Sequence, residues 1–329
     1  MKALTKASRL ADDVALLDRP RPEPALGHVL LQVTAVGLCG SDVHAIKADP
    51  GYEWVSTPVT LGHEITGVVA AVAADVDPEL LGRRVSVISM DGCRSCDLCI
   101  AERRPLCADR TVIGLSYDGG AAEYAIVRGD NLITVPAEVS WKHAVLLEPF
   151  SVAAHAVALT PMPADGRVII SGAGPIAILA AFVARARTAD VTIVGVEQDE
   201  AIRLPLLRQC GFEATTSLPA RSAGAWIEAS GSVDALAVAI ESLRAGGHLT
   251  AVGMYNRLAS INGSRIVRRE ISFRGSYGSV RADYLTAMDL LLRSDIPAES
   301  LVTPFRLEDW PRALDSMAHG EVIKAALTP

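Results

Sequence analysis

Four of the six cysteines fall in one short run, Cys93-Arg-Ser-Cys96-Asp-Leu-Cys99, with Cys107 eight residues further on. Four thiolates at that spacing suit one tetrahedral zinc, closed to solvent by its own ligands. A disulfide knot is the rival reading, but such knots belong to small secreted chains that cannot build a sufficient core. This chain has 329 residues, 50% of them hydrophobic, and can bury large cores without covalent staples. A structural zinc lobe at about 90–110 is therefore expected. Cys39 and Cys210 lie far from the run.

The formal net charge of −7 and a pI near 5.5 argue against a nucleic-acid or anionic-membrane partner. No apolar stretch is long enough to cross a bilayer, and the first residues turn polar by Asp12-Asp13 without the apolar segment of a signal peptide. A reducing, cytoplasmic location is expected, and it leaves thiolates free to bind metal.

The chain changes rhythm along its length. In the first third, β-branched runs at 29–36, 64–72, 85–89 and 122–127 are punctuated by Gly and Pro and read as strands. The cysteine run lies between the last two, in a polar lobe with no core of its own, where a metal would replace the missing hydrophobic cluster. The middle third alternates. Strands are expected at 168–171, 191–196, 226–229 and 248–252, and helices at 175–187, 201–210 and 233–245. Gly211 would close the second of these helices. Such alternation implies a doubly wound parallel sheet. A helix at 281–293 and a strand at 322–327 follow, and that tail could return to the first domain.

Gly172-Ala-Gly174-Pro175-Ile176-Ala177 follows a strand and opens a helix, which is the context of the dinucleotide fingerprint. Gly172 permits the tight turn, Gly174 lets backbone amides approach a pyrophosphate, and Ala177 is small enough for helix–sheet packing. An acid about twenty residues on should take ribose hydroxyls. Glu197 fits, with Asp199 as a competitor. Either would repel a 2′-phosphate and favour NAD over NADP; Arg203, one helical turn on, is the residue that argues the other way.

A second metal set is dispersed. Cys39 sits in Gly37-Leu-Cys-Gly-Ser-Asp-Val-His44, His63 and Glu64 in Leu61-Gly-His-Glu-Ile-Thr-Gly67, and Glu148 in Leu147-Glu-Pro-Phe150. A thiolate, an imidazole and a carboxylate could hold zinc and leave one position open. Singly, such residues are usually core or caps.

Together, Cys39 followed by Gly40-Ser41-Asp42-Val43-His44, Gly62-His63-Glu64, the cysteine quartet, Glu148-Pro149 and Gly172-Ala-Gly-Pro-Ile176 make the chain resemble, over nearly its whole length, the zinc-dependent medium-chain dehydrogenases, in particular the sorbitol and polyol dehydrogenases. The resemblance implies an α/β architecture. A β-rich GroES-like catalytic domain (1–147 and 282–329) joins a Rossmann domain (148–281), with the active site in the cleft between them. It implies Cys39 and His63 as catalytic zinc ligands, Glu64 as third or exchanging ligand, and Glu148 as a second glutamate that binds directly or through water. Ser41 and His44 match a proton relay, and Asp42 would orient a ligand. Pro175, Ile176, Arg203, Val252, Met254 and Ser276 match cofactor-contacting positions beside Gly172, Gly174 and Glu197. The implied activity is reversible, NAD-linked oxidation of a secondary alcohol, with two zinc ions, in a homodimer or homotetramer.

The chain departs from the polyol pattern at two places. Ser276-Tyr-Gly-Ser279 replaces the Arg- and Tyr-bearing run that would grip a polyol, and Ala45 replaces an aromatic, so the alcohol could instead be a cyclitol or aminocyclitol (as for 2-deoxy-scyllo-inosamine dehydrogenase) or threonine. A zinc-free quinone reductase or a non-catalytic binding protein would lack the retained Cys39, His63 and Glu64. The stretch from Gly211 to Trp226 is also short for a parallel crossover, and a compact loop is expected at 218–224.

Overall fold

A computed structural model describes residues 1–188, 190–218, 223–293 and 296–329. The chain forms two compact units, Met1–Glu148 with Val280–Pro329, and Pro149–Ser279.

In the first unit, strand His28–Gly37 is the organising element of a seven-stranded sheet. It pairs antiparallel with Glu64–Val72, Tyr124–Arg128 and Lys324–Thr328. Its alternating apolar residues Val29, Leu31, Val33 and Val36 enter a core that also holds Leu4, Leu61, Ile65, Val85 and Leu327. The register sets Gly37 opposite Glu64. This approach is tight: a Cβ on Gly37 would lie 2.0 Å from Glu64 Oε2, so any side chain there would displace the Glu64 carboxylate. The tail supplies Lys324–Thr328 and its parallel neighbour Val302–Arg306 to the same sheet.

The second unit is built on a six-stranded, all-parallel sheet. Its order is Glu213–Thr215, Asp190–Val194, Arg167–Ser171, Ala225–Glu228, His248–Ala251, Ser272–Gly275. Trp226, Leu236, Ile240 and Leu249 form part of its core. Helix Pro175–Arg185 follows Arg167–Ser171 and buries every residue from Ala177 to Ala184. The helix expected from 201 begins instead at Arg203, because 197–201 form a 3₁₀ turn and Pro205 is compatible only with a first helical turn. Gly211 follows its C-terminus with φ +80°. The short connection from Thr215 to Ala225 passes two intervening strands. Residues 219–222 of the expected loop lie outside the described residues; Leu218 is exposed and Ala223 buried. No helix among the described residues is long and apolar enough to cross a membrane.

Candidate active site

The cysteine quartet converges. One ligand atom from each of Cys93, Cys96, Cys99 and Cys107 lies within 4.8 Å of the others. Cys93 and Cys99 sulfurs are 3.9 Å apart, and those of Cys96 and Cys107 are 3.8 Å apart. A tetrahedron with Zn–S bonds of about 2.3 Å has edges of about 3.8 Å, so the set fits zinc. A disulfide needs sulfurs about 2 Å apart, and all six cysteines are free thiols. Backbone amides of Cys93 and Cys96 donate to the sulfurs of Cys107 and Cys93 at 3.4 Å. Donors at Ser95 and Cys96 draw the Cys93 pKa down to about 6, while burial pushes the Cys99 thiol up to about 12. Gly92 is obligatory, since a Cβ there would meet Cys99 Sγ at 2.6 Å. Arg94, inside the run, bonds Asp91 at 2.6 Å and also pairs with Asp130, which ties the lobe to the turn 129–131 between two strands of the seven-stranded sheet.

The second set also converges. Cys39, His63 and Glu64 each offer a ligand atom, all within 4.8 Å of one another. Strand pairing achieves this: Glu64 faces Gly37, two residues before Cys39, which caps helix Gly40–Lys47. Asp42 binds both sides together. It is fully buried; its Oδ2 accepts from the Cys39 amide at 2.9 Å, and its Oδ1 accepts from the Gly62 amide at 3.3 Å and lies 3.5 Å from His63 Nδ1. That contact turns His63 Nε2 toward Ser41, whose hydroxyl is 3.3 Å away. His44 lies one turn beyond Ser41 on the same helix; its Nδ1 meets Asp49 Oδ2 at 2.6 Å, and its ring stacks on Tyr52. Glu148 opens helix Leu147–Ala158 and accepts from Ser89 Oγ at 2.6 Å; it lies outside the three-residue group but close enough to interact with His63 and Glu64.

Lys324 was not singled out from the sequence. It is buried, donates to Leu38 O at 2.9 Å and forms an ion pair with Glu64. Burial alone would lower its pKa, but Glu64, Cys39 and Glu148 outweigh it and hold the pKa above the ordinary range. Burial likewise opposes charge on His63, and Asp42 with Cys39 reverses the balance, well above 6.5. Burial raises Glu148. The His63 and Lys324 shifts have one electrostatic origin, a buried surplus of anionic groups. His63 Nδ1 and Glu64 Oε2 are buried without a hydrogen-bond partner. Thiolate, imidazole and carboxylate donors with that surplus fit a zinc ion.

In the second unit, Gly172 has φ +100°, and a Cβ there would lie 3.0 Å from the Ser230 backbone. Gly174 caps helix Pro175–Arg185 and faces open space, which leaves the helix N-terminus accessible to phosphate. Glu197 is exposed and opens the 3₁₀ turn 197–201, three residues past strand Asp190–Val194. Asp199 is buried, accepting from the Val196 amide and from Arg203 Nη1, both at 3.0 Å. Ser276 follows the last strand, and its buried hydroxyl has no partner. Val252 and Met254 lie just past strand His248–Ala251, with Met254 exposed. The glycine turn, the open helix end and the orphaned hydroxyl fit a dinucleotide.

The alcohol dehydrogenase GroES-like domain family matches residues 25–137. Sorbitol dehydrogenase of Halalkalibacterium halodurans is 32% identical over 345 residues, covering 100% of this chain and 99% of that protein. This chain belongs to the zinc-dependent medium-chain alcohol dehydrogenases. An L-threonine 3-dehydrogenase of Saccharopolyspora erythraea is 32% identical, covering 92% of this chain and 91% of its own. Galactitol-1-phosphate dehydrogenase from Escherichia coli superposes with a TM-score of 0.88 at 26% identity, over 100% of both chains. The protein is therefore an oxidoreductase that interconverts alcohol and ketone.

The two metal sets should separate on mutation. Cys39→Ser should lower turnover at least about 1,000-fold and remove one zinc, with the thermal transition nearly unchanged. Cys96→Ser should lower stability by roughly 3 kcal/mol or more, because metal binding there is folding free energy. Metal analysis, calorimetry and steady-state rates on both variants check this. Full turnover in Cys39→Ser would be incompatible with the assignment.

Proposed function

We propose that this enzyme oxidises a secondary carbinol of a small polyhydroxylated substrate (a polyol, cyclitol or aminocyclitol) to the ketone, reversibly, with NAD. The observation that carries this reading is the convergence of Cys39, His63 and Glu64 beside the Ser41–His44 helix face. Those three residues would hold the catalytic zinc, with Glu148 near at hand, and the quartet a structural zinc. When bound, the catalytic zinc supplies Lewis acidity that lowers the pKa of the alcohol hydroxyl. Ser41 would relay that proton, its Oγ accepting it as its own hydroxyl proton passes on toward His44. His44, anchored through Nδ1 to Asp49 and partly exposed, keeps Nε2 for passing a proton to solvent. The relatives named for sorbitol, threonine and galactitol phosphate all act on compact, hydroxyl-bearing molecules, which supports a polar substrate.

NAD is favoured over NADP on charge. The exposed Glu197 would accept ribose hydroxyls and repel a 2′-phosphate, while Arg203 is already paired with Asp199. Gly172, Gly174, Pro175, Ile176, Val252, Met254 and Ser276 would complete the cofactor contacts. Six free thiols suit a cytoplasmic location.

We also propose a homodimer. Strand Ser272–Gly275 is an edge with all four residues exposed, and Phe273 is 45% exposed. The same strand from a second copy, antiparallel across a twofold axis, would satisfy the open backbone groups and cover Phe273. Light scattering should give a dimer that Phe273→Asp dissociates; a monomeric wild-type protein at micromolar concentration would reject this.

The reaction is tested by following NADH absorbance over a panel of polyols, cyclitols, aminocyclitols and threonine. At least one polyhydroxylated secondary alcohol should turn over, with NADP at least about tenfold poorer than NAD, and Glu197→Ser should narrow that gap. Turnover of threonine alone would change the substrate class, and undiminished activity after removal of zinc would reject the mechanism.

A further inference from the structure

The strand order of the parallel sheet reverses beside Arg167–Ser171. On one side lie Asp190–Val194 and Glu213–Thr215; on the other lie Ala225–Glu228, His248–Ala251 and Ser272–Gly275. A dinucleotide spans such a reversal, outside the carboxyl ends of the strands. With pyrophosphate at the Gly172–Gly174 turn and the Glu197 carboxylate on the first side, the adenosine half falls there. The nicotinamide half then falls at the ends of the second group of strands.

Glu228 ends the first strand of that group and is completely buried. Its backbone oxygen accepts from the amides of Val252 and Gly253 at 2.9 and 3.1 Å. Its carboxylate accepts from the Ser230 amide at 2.8 Å, the Ser230 hydroxyl, the Gly231 amide at 3.3 Å and the Tyr255 hydroxyl at 2.6 Å. One residue thus ties the 229–232 loop to the 252–255 loop. The packing is close: a Cβ on Gly253 would lie 3.0 Å from Glu228 Oε2, and one on Gly231 would lie 2.5 Å from Met254 O. All of these donors are neutral, and no ion pair among the described residues includes Glu228. A buried carboxylate without a counter-ion costs stability that an amide or apolar side chain would not. The oxidised nicotinamide ring carries a positive charge and the reduced ring does not.

We propose that Glu228 is a positioning residue of the cofactor site: it locks the two loops at the nicotinamide end, and its uncompensated charge makes the site favour the oxidised ring over the reduced one. This rests on the reading that the second unit takes NAD. The test measures dissociation constants for NAD⁺ and NADH on the zinc-loaded protein, with circular dichroism as the check on folding. Glu228→Gln should weaken NAD⁺ more than NADH, moving the ratio of the two constants about threefold or more. Glu228→Asp, which keeps the charge but shortens the reach, should weaken both forms and leave the ratio near wild type. Tyr255→Phe should weaken both forms about equally. An unchanged ratio in folded Glu228→Gln overturns the charge role. Wild-type affinity for both forms in Tyr255→Phe overturns the locking role, whether or not the Gln variant folds. Wild-type protein that binds neither form fails the cofactor reading itself, a result distinct from both.

Discussion

Buried negative charge is the constraint on which the first unit depends. Cys39 with Asp42, Glu64 and Glu148 are gathered from three separate stretches of chain, and a carboxylate removed from water costs several kcal/mol unless it is paired. Without metal the protein answers with Lys324 and His63, whose pKa values the neighbouring anionic groups raise; zinc would require His63 to give up that proton. A divalent ion answers the same surplus with donors of the right chemistry. The strand register that sets Gly37 against Glu64, the Asp42 bonds to both ligand segments and the Lys324 side chain all serve this one balance. Lys324 also explains why the tail belongs to this unit: a residue near the C-terminus contacts a ligand candidate 260 positions earlier.

The second metal set solves a different problem. The 90–110 lobe contributes few apolar side chains to the core, so four sulfurs and the Asp91–Arg94–Asp130 charge network take the place of hydrophobic packing. Gly92 and the left-handed Arg94 (φ +65°) are the backbone concessions that let the sulfurs meet. The ring of sulfurs is closed to further ligands, whereas the Cys39 set leaves two buried polar atoms without a hydrogen bond.

Local pattern made much of this legible. The strand at 64–72 and the helix at 281–293 have the boundaries that their apolar periodicity indicates. The quartet was readable because its ligands are close in sequence. Other features were decided by long-range contact. Lys324 is a lone lysine in the apolar run Val322-Ile-Lys-Ala-Ala-Leu327, and that interruption was the available signal; only sheet pairing shows what it meets. Glu197 and Asp199 are equivalent acids in sequence, yet the fold spends Asp199 on the Val196 amide and Arg203. Glu228 looks like an ordinary strand terminus until the 252–255 loop closes over it.

The central claim is an open-sided zinc held by Cys39 and His63. Cobalt exchanged into the catalytic site tests it most directly, because its visible spectrum reports ligand type and number. The account predicts a four-coordinate cobalt spectrum with thiolate charge transfer that shifts when an alcohol is added and disappears in Cys39→Ser. A protein whose only cobalt spectrum is that of an all-sulfur site, insensitive to alcohol and unchanged in Cys39→Ser, would contradict it.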